Sequence, residues 1–266
     1  MSVKNLDGFI NVFVVLYAFV SMISIAASNI AVSLALLLSI VRHIKEPFRL
    51  RFDKKLAAVI VFFWATVLLS ALTAYEHNIA FSKLWAYIYR TLPMLLVAAV
   101  VGDKEKTDKI ILALAASACV DSLYGIWQAM QGSRADGFSN YMVISGCIIQ
   151  TLPLFALPLL EGKSLDRRRR LFLAVTVVLS LAALIFSQTR GAWLGALAAA
   201  GLYILLSLRF NRKAALSLCL ALAVTAGGFW LSPALQHRVA SISDVSLSGE
   251  NAQRLVLWHD SWHIFI

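Results

Sequence analysis

The chain has 266 residues, 60% of them hydrophobic and only 14% charged, with a mean hydropathy of +0.79 and a formal net charge of +10. This composition excludes a soluble globular domain and specifies a polytopic membrane protein. The positive balance is compatible with nucleic acid, anionic lipid or membrane topology, and its distribution along the chain decides among them. Apolar runs of about 17–25 residues can cross about 30 Å of hydrocarbon. The first apolar stretch, 9–41, would reach about 50 Å as a single helix, so the sequence predicts a helical hairpin turning near Ser28-Asn29. Further spans are predicted at 56–74, 84–101, 110–130, 141–160, 171–187, 191–208 and 214–231. The expected fold is therefore all-α, a membrane helical bundle of about nine transmembrane helices over 1–231, with 232–266 opening a large polar loop.

Orientation follows from the basic residues. Of the 24 lysines and arginines, 18 fall on one side: Lys4, the loop from Arg42 to Lys55, Lys104 to Lys109, Lys163 with Arg167 to Arg170, and Arg209 to Lys213. The remaining six, Lys83, Arg90, Arg134, Arg190, Arg238 and Arg254, fall on the other. An excess that agrees at every loop marks the first side as cytoplasmic, and the net charge needs no nucleic acid to explain it. Arg167 to Arg170 can hold RNA or anionic headgroups, but in a short loop they read as a topology determinant. Lys4, the apolar run and Ala26-Ala27-Ser28 faintly resemble a signal peptide, yet the run continues through Ile40 without a polar mature start, so it reads as retained. Cys119, Cys147 and Cys219 lie within predicted spans and offer no disulfide framework.

Signatures of soluble enzymes are sparse. There is no Asp-x-Asp motif and no Gly-rich dinucleotide loop, and Gly162-Lys163-Ser164 has Leu157 where a phosphate loop has its first glycine. His259 and His263 stand one helical turn apart, a spacing that can chelate zinc, but without the glutamate of the zinc-protease motif or a third ligand nearby. They read as interfacial histidines, and no metal or other cofactor is expected. What remains is the non-cytoplasmic face. Arg134 lies in the loop 131–140, Arg190 between two spans, and Arg254 in the polar segment after Ser232. Arg90 sits about a turn inside its span, with Pro93 close behind to loosen the helix. Arginine is costly at such depths and usually faces a polar cavity or an anion. Its planar fork matches phosphate oxygens in bidentate fashion, and a lipid-linked diphosphate is an anion anchored at this depth.

Ser187-Gln188-Thr189-Arg190-Gly191-Ala192-Trp193-Leu194-Gly195 resembles the signature of the O-antigen ligase family. Gly137-Phe138-Ser139-Asn140 is similar to that family's Gly-Phe-x-Asn loop, and Arg254-Leu255-Val256-Leu257-Trp258 to the Arg-x-x-x-Trp element early in its periplasmic loop. The resemblance implies a metal-independent, GT-C-like glycosyltransferase of the bacterial inner membrane, with its site facing the periplasm. It would take undecaprenyl-diphosphate-linked glycan as donor and a hydroxyl of lipid A-core, a growing glycan or a protein as acceptor. Arg190 and Arg254 would bind the diphosphate and offset leaving-group charge, with Arg90, Arg134 and Asn140 contributing to substrate binding. The family's proposed acceptor-activating histidine lies later in the loop, beyond Ile266, so the chain is expected to be C-terminally truncated and to lack activity as it stands. The rival classes are a transporter of a small anion, suggested by intramembrane Arg90, Asp121 and Gln128, and a non-catalytic scaffold. No paired inverted repeat of broken helices supports the former.

The topology is checked with single introduced cysteines and a membrane-impermeant thiol reagent in intact cells. Position 136 should label and position 166 should not; the opposite pattern would invert the assignment.

Overall fold

The computed structural model describes residues 2–47, 54–100, 104–160, 165–207 and 250–265. Every element among the described residues is a helix: α1 (Val3–Val20), α2 (Ile25–Lys45), α3 (Lys54–Thr73), α4 (His77–Val100), α5 (Lys104–Met130), α6 (Tyr141–Leu160), α7 (Arg167–Phe186), α8 (Arg190–Ser207) and α9 (Glu250–Phe265). Five of these, α1, α2, α5, α6 and α7, are long and apolar enough to cross a membrane. Helices α3, α4 and α8 occupy the spans predicted at 56–74, 84–101 and 191–208. The span predicted at 214–231, and with it the boundary at 231–232, lies outside the described residues. The large apolar side chains point outward, the reverse of a soluble bundle: on α3, Val61 is 67% and Phe62 71% exposed, while the small Ala71 is buried. This arrangement, with several apolar helices, is that of a multi-pass membrane protein.

The chain forms two compact units, 1–121 and 122–266. In the first, α1 buries Leu6, Ile10, Val14 and Ala18, one residue every four, which aligns them as a single ridge along the helix. The face of α2 that receives such a ridge is made mostly of small residues, Ser28, Ala31, Ala35 and Ser39, so the backbones can approach closely. Ile10, Val14, Val32, Ala35 and Leu96 of α4 form one buried cluster. At the far end of the hairpin Arg42 pairs with Asp7 at 3.0 Å. The Tyr89 hydroxyl of α4 donates to the Asn29 carbonyl at 3.1 Å and lies 3.2 Å from Ser33 Oγ.

The hairpin turns earlier than predicted. Its turn is at 21–24, where Ser24 is extended and its Oγ caps α2 by accepting from Ala27 N, and Ser21 Oγ donates to the Ala18 carbonyl. Ser28 instead lies inside α2, its hydroxyl satisfied by the Ile25 carbonyl at 2.9 Å, so it has no reason to break the helix. Arg167 to Arg170, predicted in a loop, form the first turn of α7. Extending the helix brings their carbonyls into the helical ladder, Arg170 N donates to the Asp166 carbonyl, and arginine is a good helix former.

In the second unit α6 packs against α7 and α8. Hydroxyls inside these helices are turned back on the preceding turn: Ser145 donates to Tyr141 O, Thr151 to Cys147 O and Thr176 to Phe172 O. These three hydroxyls are thereby satisfied without a partner helix, while the buried Ser180 hydroxyl of α7 is not.

Ala35, completely buried where α1 meets α2, leaves no room for a larger side chain. Ala35→Leu should cost about 1–3 kcal/mol of stability, read as a lower unfolding midpoint of the purified protein in detergent. Leu37→Ala, on the outward face of the same helix, should change stability by less than about 0.5 kcal/mol.

Candidate functional site

The candidate site lies in the second unit, where the C-terminus of α7 meets the N-termini of α6 and α8. A helix C-terminus leaves carbonyls without intrahelical partners, and here each of the last four is satisfied. Ala183 O accepts from Ser187 N, Ile185 O from Gln188 N, and Phe186 O from Ala135 N of the 131–140 loop. Leu184 O accepts both Ser187 Oγ at 2.7 Å and the Trp193 indole N–H at 2.9 Å. Gln188 takes a left-handed conformation, φ 54°, to reverse the chain. That position usually belongs to glycine, and the surrounding hydrogen bonds hold a non-glycine residue there.

Thr189 then opens α8. Its carbonyl accepts from Ala192 N and Trp193 N, and its hydroxyl donates across to the Tyr141 carbonyl at 3.3 Å, joining the elbow to the start of α6. Ser187, Thr189 and Trp193 thus build the turn. Arg190, half-buried, is the first residue of α8. None of these bonds calls for a cation at this position, and a helix N-terminus already carries partial positive charge.

The 131–140 loop is held by one side chain. Gln128 Oε1 accepts from Asp136 N at 3.0 Å and Gly137 N at 2.8 Å, and its Nε2 donates to Gly137 O at 3.1 Å. Its backbone carbonyl accepts Ser133 Oγ at 2.7 Å. Gly132 and Gly137 have φ of 87° and 62°, conformations in which a side chain would be strained. Gly125 of α5 lets the loop close in, since a Cβ there would lie 3.2 Å from Ile144 Cδ1 and 3.3 Å from Ala135 Cβ. Arg134, half-buried, places its guanidinium 5.0 Å from the centre of the Tyr141 ring, a cation–π contact. Tyr141 therefore engages both arginine-bearing segments, Arg134 through its ring and Thr189 through its carbonyl.

Asn140 caps α6: its Oδ1 accepts from Met142 N and Val143 N, both at 3.0 Å. Arg254 lies on α9 in this same unit, one turn before Trp258, and Arg90 lies on α4 in the other unit. The structure thus joins the Arg134 loop, Asn140 and the Arg190 elbow through direct hydrogen bonds. Sequence reasoning missed the roles of Gln128 and Tyr141. Gln128 carried one signal, a polar side chain near the end of an apolar run just before a Gly- and Ser-containing loop; Tyr141 carried none.

Residues 175–266 match the family model for O-antigen ligase, a segment that contains the C-terminal part of α7, the elbow, Arg190 and Arg254. Over those residues, about a third of the chain, the protein is similar to the O-antigen ligase family. No curated protein and no solved structure matches the chain.

Removing the Gln128 amide should free the loop. Hydrogen–deuterium exchange of the membrane-embedded protein should be faster over residues 134–138 in Gln128→Ala. Gln128→Glu keeps the acceptor for both N–H groups but loses the donor, and should fall between Ala and the parent. Equal exchange in all three would show that the loop is held by something else.

Proposed function

We propose, from the O-antigen ligase match and the joined arginine segments, that this chain binds the lipid-linked donor of a membrane glycosyltransferase. The enzyme moves a glycan from undecaprenyl diphosphate to an acceptor hydroxyl, such as one of lipid A-core, on the periplasmic face of the bacterial inner membrane. The transmembrane domain is a GT-C-like bundle of about nine spans over 1–231, followed by a periplasmic segment over 232–266.

The observation that carries this reading is that the segments bearing Arg134 and Arg190 are hydrogen-bonded together at the starts of α6 and α8. Neither α6 nor α8 has an acidic residue in its first turn. The partial positive charges of both N-termini therefore add to two guanidinium groups, an arrangement that an anion stabilises. A diphosphate supplies that anion, and its lipid tail sets the depth. When the glycosidic bond to the phosphate breaks, negative charge grows on the departing diphosphate. Arg190 and Arg254 are assigned to compensate it, doing with fixed cations what metal ions do at other diphosphate sites. Arg134 and Arg90 are assigned to substrate binding. Asn140 joins them through its amide nitrogen, because its oxygen is engaged in capping α6. A transporter of a small anion has no observation that favours it over this reading.

The test separates recognition by a planar fork from simple anchoring. Arg190→Ala and Arg190→Lys should both reach normal membrane levels. Each should weaken binding of undecaprenyl diphosphate at least tenfold, about 1.4 kcal/mol. Full binding by the lysine variant, or loss of membrane insertion in the alanine variant, would make Arg190 a headgroup anchor instead.

A further inference from the structure

Beside the Arg134 loop stands a column of three aromatic rings. Tyr124 and Trp127, one turn apart on α5, stack with centroids 5.7 Å apart and planes 16° apart. Phe138, from the loop, stacks on Tyr124 at 4.5 Å and 20°. The rings are not buried: Tyr124 is 36%, Phe138 44% and Trp127 54% exposed. The central ring is the most covered, and the outer two present the open surface.

The fold is arranged to put Phe138 there. Gln128 fixes the backbone of Asp136 and Gly137 immediately before it, and Gly137 adopts a left-handed conformation that turns the chain. An interfacial aromatic belt does not require this. Belt residues are tryptophan and tyrosine, chosen for a polar tip at headgroup depth; phenylalanine has no such tip, and rings at an interface need not stack. The outer rings of such a stack, Trp127 and Phe138, offer flat apolar surface beside polar groups, the form in which binding sites combine aromatic surface with a few placed polar atoms. A pyranose matches it, because one face of the sugar presents C–H bonds while the hydroxyls project from the edge. Arg134, four positions before Phe138, belongs to the same clamped loop.

We infer that Tyr124, Trp127 and Phe138 form a shelf for the sugar ring attached to the diphosphate of the lipid-linked donor. This inference rests on the lipid-diphosphate reading above and adds the glycan-binding element of the same site. Its recognition is of a sugar face rather than a particular hydroxyl pattern.

The experiment uses the full chain in phosphatidylethanolamine–phosphatidylglycerol nanodiscs and two probes, undecaprenyl diphosphate and undecaprenyl-diphosphate-N-acetylglucosamine. Trp127→Leu and Phe138→Leu keep apolar bulk for lipid but remove the flat face, and Trp127→Tyr restores a ring. The leucine variants should bind the sugar-bearing probe about tenfold more weakly and bare undecaprenyl diphosphate within about twofold of the parent; Trp127→Tyr should behave like the parent with both. Equal loss for both probes would make the column a lipid anchor, and no loss for either would leave it without a role in donor binding; both overturn the shelf alone. Failure of the parent chain to bind either probe would overturn the lipid-diphosphate reading and the shelf with it. Should Trp127→Leu not reach the membrane, Phe138→Leu and Trp127→Tyr still decide.

Discussion

Hydrocarbon offers no hydrogen bonds, so every backbone group at membrane depth must find a partner within the protein. At the C-terminus of α7 the last four carbonyls have no intrahelical partners, and all four are met within the protein. Its carbonyls are met by a serine hydroxyl, an indole N–H, the elbow's own amides and the amide of Ala135 from a different loop. That last bond matters for function as well as for stability. It makes the Arg134 loop part of the solution to capping α7, so the two arginine-bearing segments are held together by the same requirement that lets the helix end at all.

The same economy explains the electrostatics. An arginine at the first position of a helix is placed against the helix dipole, an unfavourable choice of about 0.3–1 kcal/mol at an exposed site. Arg190 occupies such a position on α8, with a second N-terminus, that of α6, tied to it through Thr189 and Tyr141. Arg167 to Arg170 also stand in the first turn of a helix, α7, so position alone does not set Arg190 apart; its tie to the start of α6 does.

Much of this was legible in the sequence where a single residue carries the information. The span 141–160 coincides with α6, because Asn140 caps its start. Arg190 was assigned to a boundary and stands at the first residue of α8. The hairpin turn was displaced because Ser21 to Ser24 look as apolar as the stretch around them; what makes Ser24 a cap is an extended backbone that composition does not record. Gln128 was visible only as a polar residue in an apolar helix. Its partners are the amides and carbonyl of Asp136 and Gly137, and backbone groups leave no trace in a sequence pattern. Tyr141 was silent for the same reason, since half of its role is played by its carbonyl oxygen.

Asn140 shows how a site can grow out of capping. Its oxygen accepts two amides of α6, a role that aspartate, serine or threonine fill as well. Asparagine differs from those in one respect, an amide nitrogen that can donate while the oxygen caps. The cap places that donor at the head of α6, on the loop that carries Arg134 and beside the helix N-terminus that favours an anion. The oxygen of the residue that starts the helix occupies two of the helix's free amides, and its nitrogen adds a hydrogen-bond donor beside them. Capping uses the oxygen of this side chain and leaves its nitrogen able to donate, so a role in recognition would not exclude the role in capping.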